Sequence, residues 1–207
     1  MKMKEIDFRT AYHNFFYIFG QKIIYEAAEQ FPDSEKSDGA LVYGYIDHEA
    51  GLSFELICCV RKSDNNLEFF EGNDTATVKF RAGSIKDCDA IYIDKEANAD
   101  LLEKYSKKIE IIHKYYDDND GVTYTRKIGT LDSNRHPWYP DDVRVIIMHG
   151  DHQPEGCWVR CEGVTENAIF GILLNEPDPD MNIHQGDMVY FGILKQDDNF
   201  LCVAQIQ

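Results

Sequence analysis

The spacing of apolar positions changes twice within the first 120 residues, and each spacing predicts a different element. Across Asp7–Phe31, aromatic and aliphatic residues recur at steps of three and four, which is the period of an amphipathic helix. Asp7 suits its N-cap because a carboxylate can accept the free N–H groups of the first turn. Across Ala40–Arg81, short β-like runs alternate with turn residues and predict an antiparallel meander of about four strands. Helical spacing returns across Asp94–Tyr116, so the first part is predicted to be a helix–meander–helix unit.

Acidic and irregular sequence separates this unit from the remainder of the chain. The second predicted helix runs into Asp117-Asp118-Asn119-Asp120-Gly121, and carboxylates at a helix C-terminus oppose its dipole. We therefore expect that end of the helix to be frayed or solvated. Pro137 and Pro140 exclude a helix over residues 131–142 and disfavour a central strand there. A domain junction is predicted near the start of this irregular sequence, which gives domains 1–120 and 121–207.

The second domain reads as a succession of short strands with tight turns between them. Strands of this length and spacing are typical of a small, curled, barrel-like antiparallel sheet. The whole chain is therefore predicted to be an α+β protein, with the helix–meander–helix unit followed by a small five-stranded barrel-like β domain. The five predicted strands are Val143–His149, Cys157–Val164, Ile169–Leu174, Met188–Leu194 and Phe200–Ile206.

The charge balance restricts the classes of partner. The chain has 21 basic and 37 acidic residues among 207, which gives a net charge of −16. Nucleic acids and anionic membranes are disfavoured as partners, because both are bound through Lys and Arg. A basic protein partner is compatible with this field, which would speed their encounter. Solubility alone is the alternative explanation of the charge.

The cysteines indicate a reducing compartment. Six are present, but the chain is long enough to build a core without disulfides and begins without a signal-peptide pattern. No apolar run reaches the roughly 18 residues that span a bilayer. We therefore predict a cytoplasmic protein with structural cysteines, which are Cys58, Cys59, Cys88, Cys157, Cys161 and Cys202.

Known catalytic and cofactor motifs are absent from the sequence. There is no Gly-x-Ser-x-Gly elbow and no glycine-rich phosphate loop, so no catalytic residue and no cofactor is predicted. One set of histidines leaves an alternative open. His149, Asp151 and His152 share one turn and His184 lies in a second loop, and such ligands could bind a divalent metal for hydrolysis. The competing interpretation is a solvated turn, and no metal is assigned.

Alternation along the strand Cys157–Val164 places an unusual pair on one face. Trp158 and Arg160 fall opposite the apolar positions, and these two residue types are enriched in interface hot spots. Trp158 could instead pack under the Pro177–Gly186 loop or against the first domain. The prolines after Asn175 and Glu176 stiffen the next loop, either to present those side chains or to connect two sheet edges rigidly. The predicted binding residues are Trp158, Arg160, Asn175, Glu176 and His184.

The order of motifs in Glu155–Phe191 resembles the YegJ-like family of uncharacterised bacterial domains. The resemblance is carried by Trp158-Val159, by the strand end from Gly171 to Pro177, and by Gly186-Asp187 before an apolar strand. One extra residue stands before Asn175 in this chain. The resemblance implies a compact α+β or barrel-like domain with no established activity. Relatives are similar to modules found beside polymorphic toxin systems, where immunity proteins neutralise a toxin by binding it.

The function predicted from the sequence is non-enzymatic protein binding, as an immunity-type or regulatory module. It follows from the acidic field, the Trp158 and Arg160 face, the stiff Asn175–Pro179 loop and the lack of catalytic motifs. The alternatives are the metal-assisted hydrolase described above and a small-molecule sensor between the two domains.

Overall fold

The computed structural model describes residues 1–64, 66–94, 98–178 and 180–206. The chain divides into two compact units, Met1–Asp117 and Asp118–Gln207. Both units combine helices with a sheet, so the predicted α+β class is confirmed. Among the described residues, no helix has the length and apolar character needed to cross a membrane.

The first unit is built on a six-stranded antiparallel sheet in the order β4-β3-β2-β1-β6, with the short β5 paired to β3. The helical segment 99–116 supplies Leu101, Tyr105, Ile109 and Ile112 to the core on the sheet. The strands are β1 (Phe15–Phe19), β2 (Gly39–Asp47), β3 (Gly51–Ser63), β4 (Asn66–Gly72), β5 (Lys79–Arg81) and β6 (Asp89–Ile93). The helices are α1 (Phe8–Ala11), α2 (Lys22–Ala28), α3 (Ala99–Lys104) and α4 (Ser106–Tyr116).

The single helix predicted over Asp7–Phe31 is wrong in its centre. Asp7 does cap a helix, since its Oδ1 accepts the N–H of Arg9 at 2.8 Å, but α1 ends at Ala11. The next apolar run forms the interior strand β1, which pairs with β2 on one side and with the edge strand β6 on the other. Four consecutive residues of β1 are buried, so both of its faces are covered. A strand buried on both faces loses the polar–apolar alternation that distinguishes it from a helix.

The meander predicted over Ala40–Arg81 corresponds to β2, β3, β4 and β5. The second predicted helix, Asp94–Tyr116, is present from Ala99 as α3 and α4, with a break at Tyr105. Residues 95–97 of that prediction lie outside the described residues. The strand β6 was not predicted. Its end residues Asp89 and Ile93 pair with the two ends of β1, Phe19 and Phe15, so β6 completes the sheet on the side away from β2.

The second unit is a closed five-stranded barrel accompanied by an α-helix and a 3-10 helix, Gly129–Asn134. All five predicted strands are present, and each lies within a few residues of its expected position. The barrel is mixed and not wholly antiparallel, because its closing pair, β12 with β8, is parallel. A two-residue strand, β7 (Arg135–His136), pairs with the start of β8. The barrel strands are β8 (Tyr139–His149), β9 (Glu155–Val164), β10 (Ile169–Leu173), β11 (Met188–Gln196) and β12 (Asn199–Ile206).

The helix of the second unit, α5 (Asp120–Lys127), was not predicted from the sequence. It begins at Asn119, whose Oδ1 accepts the N–H of Val122 at 3.0 Å. A buried ion cluster fixes it to the barrel: Nε and Nη2 of Arg126 donate to the two oxygens of Asp141 at 2.8 and 2.6 Å. Asp118 accepts a further bond from Arg126 Nη2 at 2.5 Å. A bidentate guanidinium contact of this kind fixes orientation as well as distance, so Asp141 is held at the start of β8.

Candidate functional site

Strand β9 separates a core face from an outer face, as its alternation predicted. Cys157, Val159 and Cys161 are fully buried inside the barrel. Trp158 and Arg160 lie on the other face and are half-buried. A large aromatic side chain that is neither in the core nor free in solvent must be packed by neighbours outside the barrel.

Those neighbours form an aromatic pocket around Trp158. The rings of His136 and Trp158 are T-shaped with 5.4 Å between centroids, and those of His136 and Tyr139 are T-shaped with 4.9 Å between centroids. Such edge-to-face contacts are favourable because the positive rim of one ring meets the negative face of the next. The cavity has a volume of about 270 Å³. It is lined by His136, Tyr139, Asp142, Trp158, Leu174 and Asn175.

Backbone contacts set the positions of two pocket residues. Nδ1 of His136 accepts the N–H of Trp138 at 3.2 Å, which places the proton of the neutral ring on Nε2. The Oδ1 of Asn175 accepts the N–H of Trp158 at 2.8 Å, and the N–H of Leu174 donates to the carbonyl of Trp158 at 2.8 Å. Asn175 therefore joins the end of β10 to β9, and its side chain shapes the pocket wall beside Trp158.

An ion pair adjoins the aromatic walls. Asp142 on β8 stands directly opposite Arg160 on β9, and Nε of Arg160 donates to its Oδ1 at 3.0 Å. The residue Asp142 is 8% exposed. Burial raises the pKa of the Asp142 carboxyl, and the bond from Arg160 offsets only part of that effect. The charged form of Asp142 is therefore less stable than it would be in water, because Arg160 replaces only part of the lost hydration. A second cation beside the carboxylate would stabilise it.

The loop after Asn175 is closed by the other two predicted binding residues. Nδ1 of His184 lies 2.7 Å from Oε1 of Glu176, and Oε2 of Glu176 accepts the N–H of Gln185 at 2.8 Å. These contacts lower the pKa of Glu176 and raise that of His184. Met181 and Ile183, inside the loop, are buried in the barrel core. Glu176 and His184 thus hold the loop closed, with both side chains more than half exposed.

The structure brings together three of the five predicted binding residues. Trp158 and Asn175 line the pocket, and Arg160 pairs with a lining residue, whereas Glu176 and His184 pair with each other beside it. His136, Tyr139 and Asp142 also line the pocket and were not predicted as binding residues. One signal could have found Asp142: once the β8–β9 pairing is known, it is the residue opposite Arg160.

The histidines considered for a metal site are not assembled into one. The rings of His149 and His152 stack with centroids 5.7 Å apart, while His184 is engaged by Glu176. In the parts of the chain that the structure describes, neither these three nor Asp151 belongs to a set of three metal-binding side chains whose donor atoms lie within 4.8 Å of one another. The metal-assisted hydrolase therefore stays a prediction without a ligand set.

Comparison of the chain with protein-family models, curated proteins and solved structures gives no match. The resemblance of Glu155–Phe191 to the YegJ-like family stays a prediction.

Proposed function

We propose that this protein is a non-enzymatic binding module that captures a basic protein partner through the pocket around Trp158. The observation that carries the proposal is the half-buried Trp158, flanked by His136 and placed beside the incompletely compensated carboxylate of Asp142. Regulatory or immunity-type binding, in which the module occludes its partner, is the kind of activity that this surface supports.

The pocket chemistry favours a Lys or Arg side chain as the group that enters. The faces of Trp158 and Tyr139 attract a cation through their ring quadrupoles. The Asp142 carboxylate adds a full charge at the same place, and a volume of about 270 Å³ accommodates one such side chain. The net charge of −16 acts at longer range and draws a basic surface towards the module.

The loop closed by Glu176 and His184 supports recognition of an extended surface beyond a single side chain. It follows the pocket residue Asn175 directly, and its ends are held by hydrogen bonds, including Gln185 Nε2 to the Leu174 carbonyl at 2.9 Å. Loop ends that are fixed before binding lose less entropy when a partner docks on them. Pro179, which belongs to the loop predicted to be stiff, lies outside the described residues. The six free, buried cysteines support a reducing, cytoplasmic location for this encounter.

A comparison of two aromatic truncations in the same barrel tests the proposal. Trp158→Ala removes the pocket wall, whereas Tyr190→Ala removes a side chain that is 57% exposed on β11. Partners captured from the native host with wild-type protein are purified and titrated against each variant by calorimetry. Trp158→Ala should weaken binding by about tenfold or more, the loss typical of a central hot spot. Tyr190→Ala should bind like the wild type.

Salt and partner composition provide a second readout. The affinity should fall as salt is raised, because the proposed contact includes charge attraction. The proposal is wrong if folded Trp158→Ala retains every partner at wild-type affinity. It is also wrong if the partner that depends on Trp158 is acidic and binds independently of salt.

A further inference from the structure

Two histidines and one aspartate converge in the first unit, where no motif of the sequence marked a site. Nε2 of His13 lies 3.1 Å from Oδ1 of Asp117, and Nδ1 of His113 lies 3.0 Å from Oδ2 of the same carboxylate. One ligand atom from each of the three side chains lies within 4.8 Å of the other two. The two imidazole rings are 4.1 Å apart between centroids. The Asp117 carboxylate therefore lies between the two imidazole nitrogens, with one of its oxygens near each of them.

His13, which belongs to this cluster, has an uncommon backbone conformation. Its φ is +58°, in the left-handed region that residues other than glycine seldom adopt. The N–H of His13 donates to the carbonyl of Gly44 at 2.8 Å, and the N–H of Gly44 donates back to Asn14 at 2.9 Å. A Cβ at Gly44 would lie 2.1 Å from the carbonyl oxygen of Ala11, so only glycine permits this approach. Left-handed residues held by their surroundings concentrate at functional sites.

The other two ligands come from the C-terminal end of α4. His113 and Asp117 are four positions apart, so they lie on the same face of the last turn. The hydroxyl of Tyr43, on β2, lies 2.9 Å from Nε2 of His113. Tyr43 is buried, so its hydroxyl is a fixed hydrogen-bond partner for this ring. With Nε2 held in this way, Nδ1 of His113 is the nitrogen directed to the aspartate.

We propose that His13 Nε2, His113 Nδ1 and the Asp117 carboxylate form a binding site for a divalent transition-metal ion of the zinc class. Two donors bound to a tetrahedral ion at about 2.0–2.1 Å lie about 3.3 Å apart. The observed separations of 3.1 and 3.0 Å, one to each oxygen of Asp117, are close to this value, and one donor atom from each side chain lies within 4.8 Å of the other two. Two imidazoles and one carboxylate are a ligand set suited to Zn²⁺ and its neighbours and not to Mg²⁺ or Ca²⁺.

The surroundings fit an open coordination sphere. The side chains of His13, His113 and Asp117 are 23%, 33% and 43% exposed, whereas the ligand nitrogen Nε2 of His13 is itself buried, so the cluster opens to solvent on the side of His113 and Asp117. A shallow depression of about 500 Å³ beside it is lined in part by His113 and Asp117. Three protein ligands leave at least one position for water or another small ligand, as in zinc sites that exchange ligands. Tyr43 is the positioning residue, because it contacts His113 and not the ion.

Metal titration of stripped protein without a His tag tests the site. The probes are Zn²⁺ and Co²⁺, added to chelator-treated wild type and followed by elemental analysis after gel filtration and by the visible spectrum of bound Co²⁺. One ion per chain is expected. His113→Gln and Asp117→Asn should each weaken binding by about a hundredfold or more, because one of three ligands is removed. His13→Asn should do the same while keeping the left-handed backbone, which asparagine tolerates.

Two further variants separate metal binding from folding. Tyr43→Phe should weaken binding by about ten- to a hundredfold and alter the Co²⁺ spectrum, as the loss of an orienting hydrogen bond does. The double variant His149→Gln with His152→Gln removes the other close histidine pair and should bind as wild type does. Circular dichroism of each metal-free variant identifies any that fails to fold. If a histidine variant is unfolded, the metal affinity of Asp117→Asn, which lies at an exposed helix end, tests the proposal. Trp158→Ala should retain the ion, so failure of either proposal is distinguishable from failure of the other.

The inference is overturned by either of two results. One is that the wild type binds no stoichiometric ion at micromolar protein and metal. In that case Asp117 is only a carboxylate in contact with two imidazoles. The other is metal binding that folded Asp117→Asn retains or that the His149 and His152 double variant loses.

Discussion

Asp142 and Arg160 occupy directly opposed positions on β8 and β9, with 3.0 Å between Oδ1 of the acid and Nε of the base. The aspartate side chain is 11% exposed and the arginine side chain 18%, so water screens their attraction only weakly. The charge of the pocket carboxylate is therefore maintained chiefly by its cross-strand partner.

Removal of Arg160 should destabilise the second unit at neutral pH. Arg160→Met keeps the apolar stem of the side chain but leaves Asp142 buried without this cation, which should lower the free energy of unfolding by about 1–3 kcal/mol. The loss should shrink in acid, because the pKa of Asp142 is already raised by burial and protonation removes the unpaired charge. Both tryptophans lie in this unit, so fluorescence-detected urea unfolding measures it. Lys195→Met, at an exposed position of β11, is the matched control and should stay within about 0.5 kcal/mol. A loss independent of pH would contradict this account.

The contact of Glu176 with His184 should make the loop most stable in mildly acidic solution. The folded pKa of His184 is raised, so its contribution is fully present below the ordinary value of 6.5 and is lost as pH rises through the folded value. The folded pKa of Glu176 is lowered, so its contribution is present above 4.5 and is lost as pH falls. Hydrogen exchange of residues 180–187 should therefore be slowest between about pH 4.5 and 6.5, after correction for intrinsic rates. Glu176→Gln should remove this dependence, and an unchanged profile in that variant would refute the assignment.

A methyl group at Gly171 should be far more harmful than one at another strand glycine of the barrel. An added Cβ at Gly171 would lie 2.0 Å from the carbonyl oxygen of Arg160, so β9 and β10 would have to separate. Gly171→Ala should cost about 3 kcal/mol or more through this overpacking. Gly192 has no atom within 4 Å of the added position, so Gly192→Ala should stay within about 0.5 kcal/mol. Equal melting temperatures for the two variants would contradict the pairing of β9 with β10.

The cysteines should be inert in the folded protein. All six are free and buried. Burial raises the pKa of Cys58 to about 12 and those of Cys88 and Cys202 to about 11, so little reactive thiolate forms at neutral pH. Native protein should resist iodoacetamide, while urea-unfolded protein should take up six labels per chain by mass spectrometry. Rapid labelling of the native state would identify a thiol that is more accessible than this fold allows.

The fold was predictable from the sequence where one face of a strand is covered and the other is not. In β9 the buried residues Cys157, Val159 and Cys161 alternate with half-buried ones, and the predicted strand was confirmed. In β1 four consecutive residues are buried, and the same reasoning predicted a helix. The spacing of apolar residues indicates which side chains are buried. It distinguishes a strand from a helix only when one face of the element is buried and the other is not.

The candidate site was predictable only on the strand that carries it. Alternation identified Trp158 and Arg160, but Asp142 and His136 reach the pocket through strand register and through the two-residue strand β7. The proposed metal ligands were even harder to predict from the sequence, because His13 and His113 are distant along the chain. The acidic residues after α4 were expected to leave its end frayed or solvated, and Asp117, although 43% exposed, caps α4 and contacts both histidines. Sequence spacing cannot reveal contacts that tertiary structure alone creates.

The parallel pairing of β12 with β8 has a consequence for the order of events in folding. It joins the last strand of the barrel to the first, so until Asn199–Ile206 is in place β8 lacks this partner and β11 has an unpaired edge. Unpaired strand edges are templates for association with other chains. During synthesis the barrel can close only after its final strand has left the ribosome, and that interval is when a nascent second unit is most exposed to aggregation.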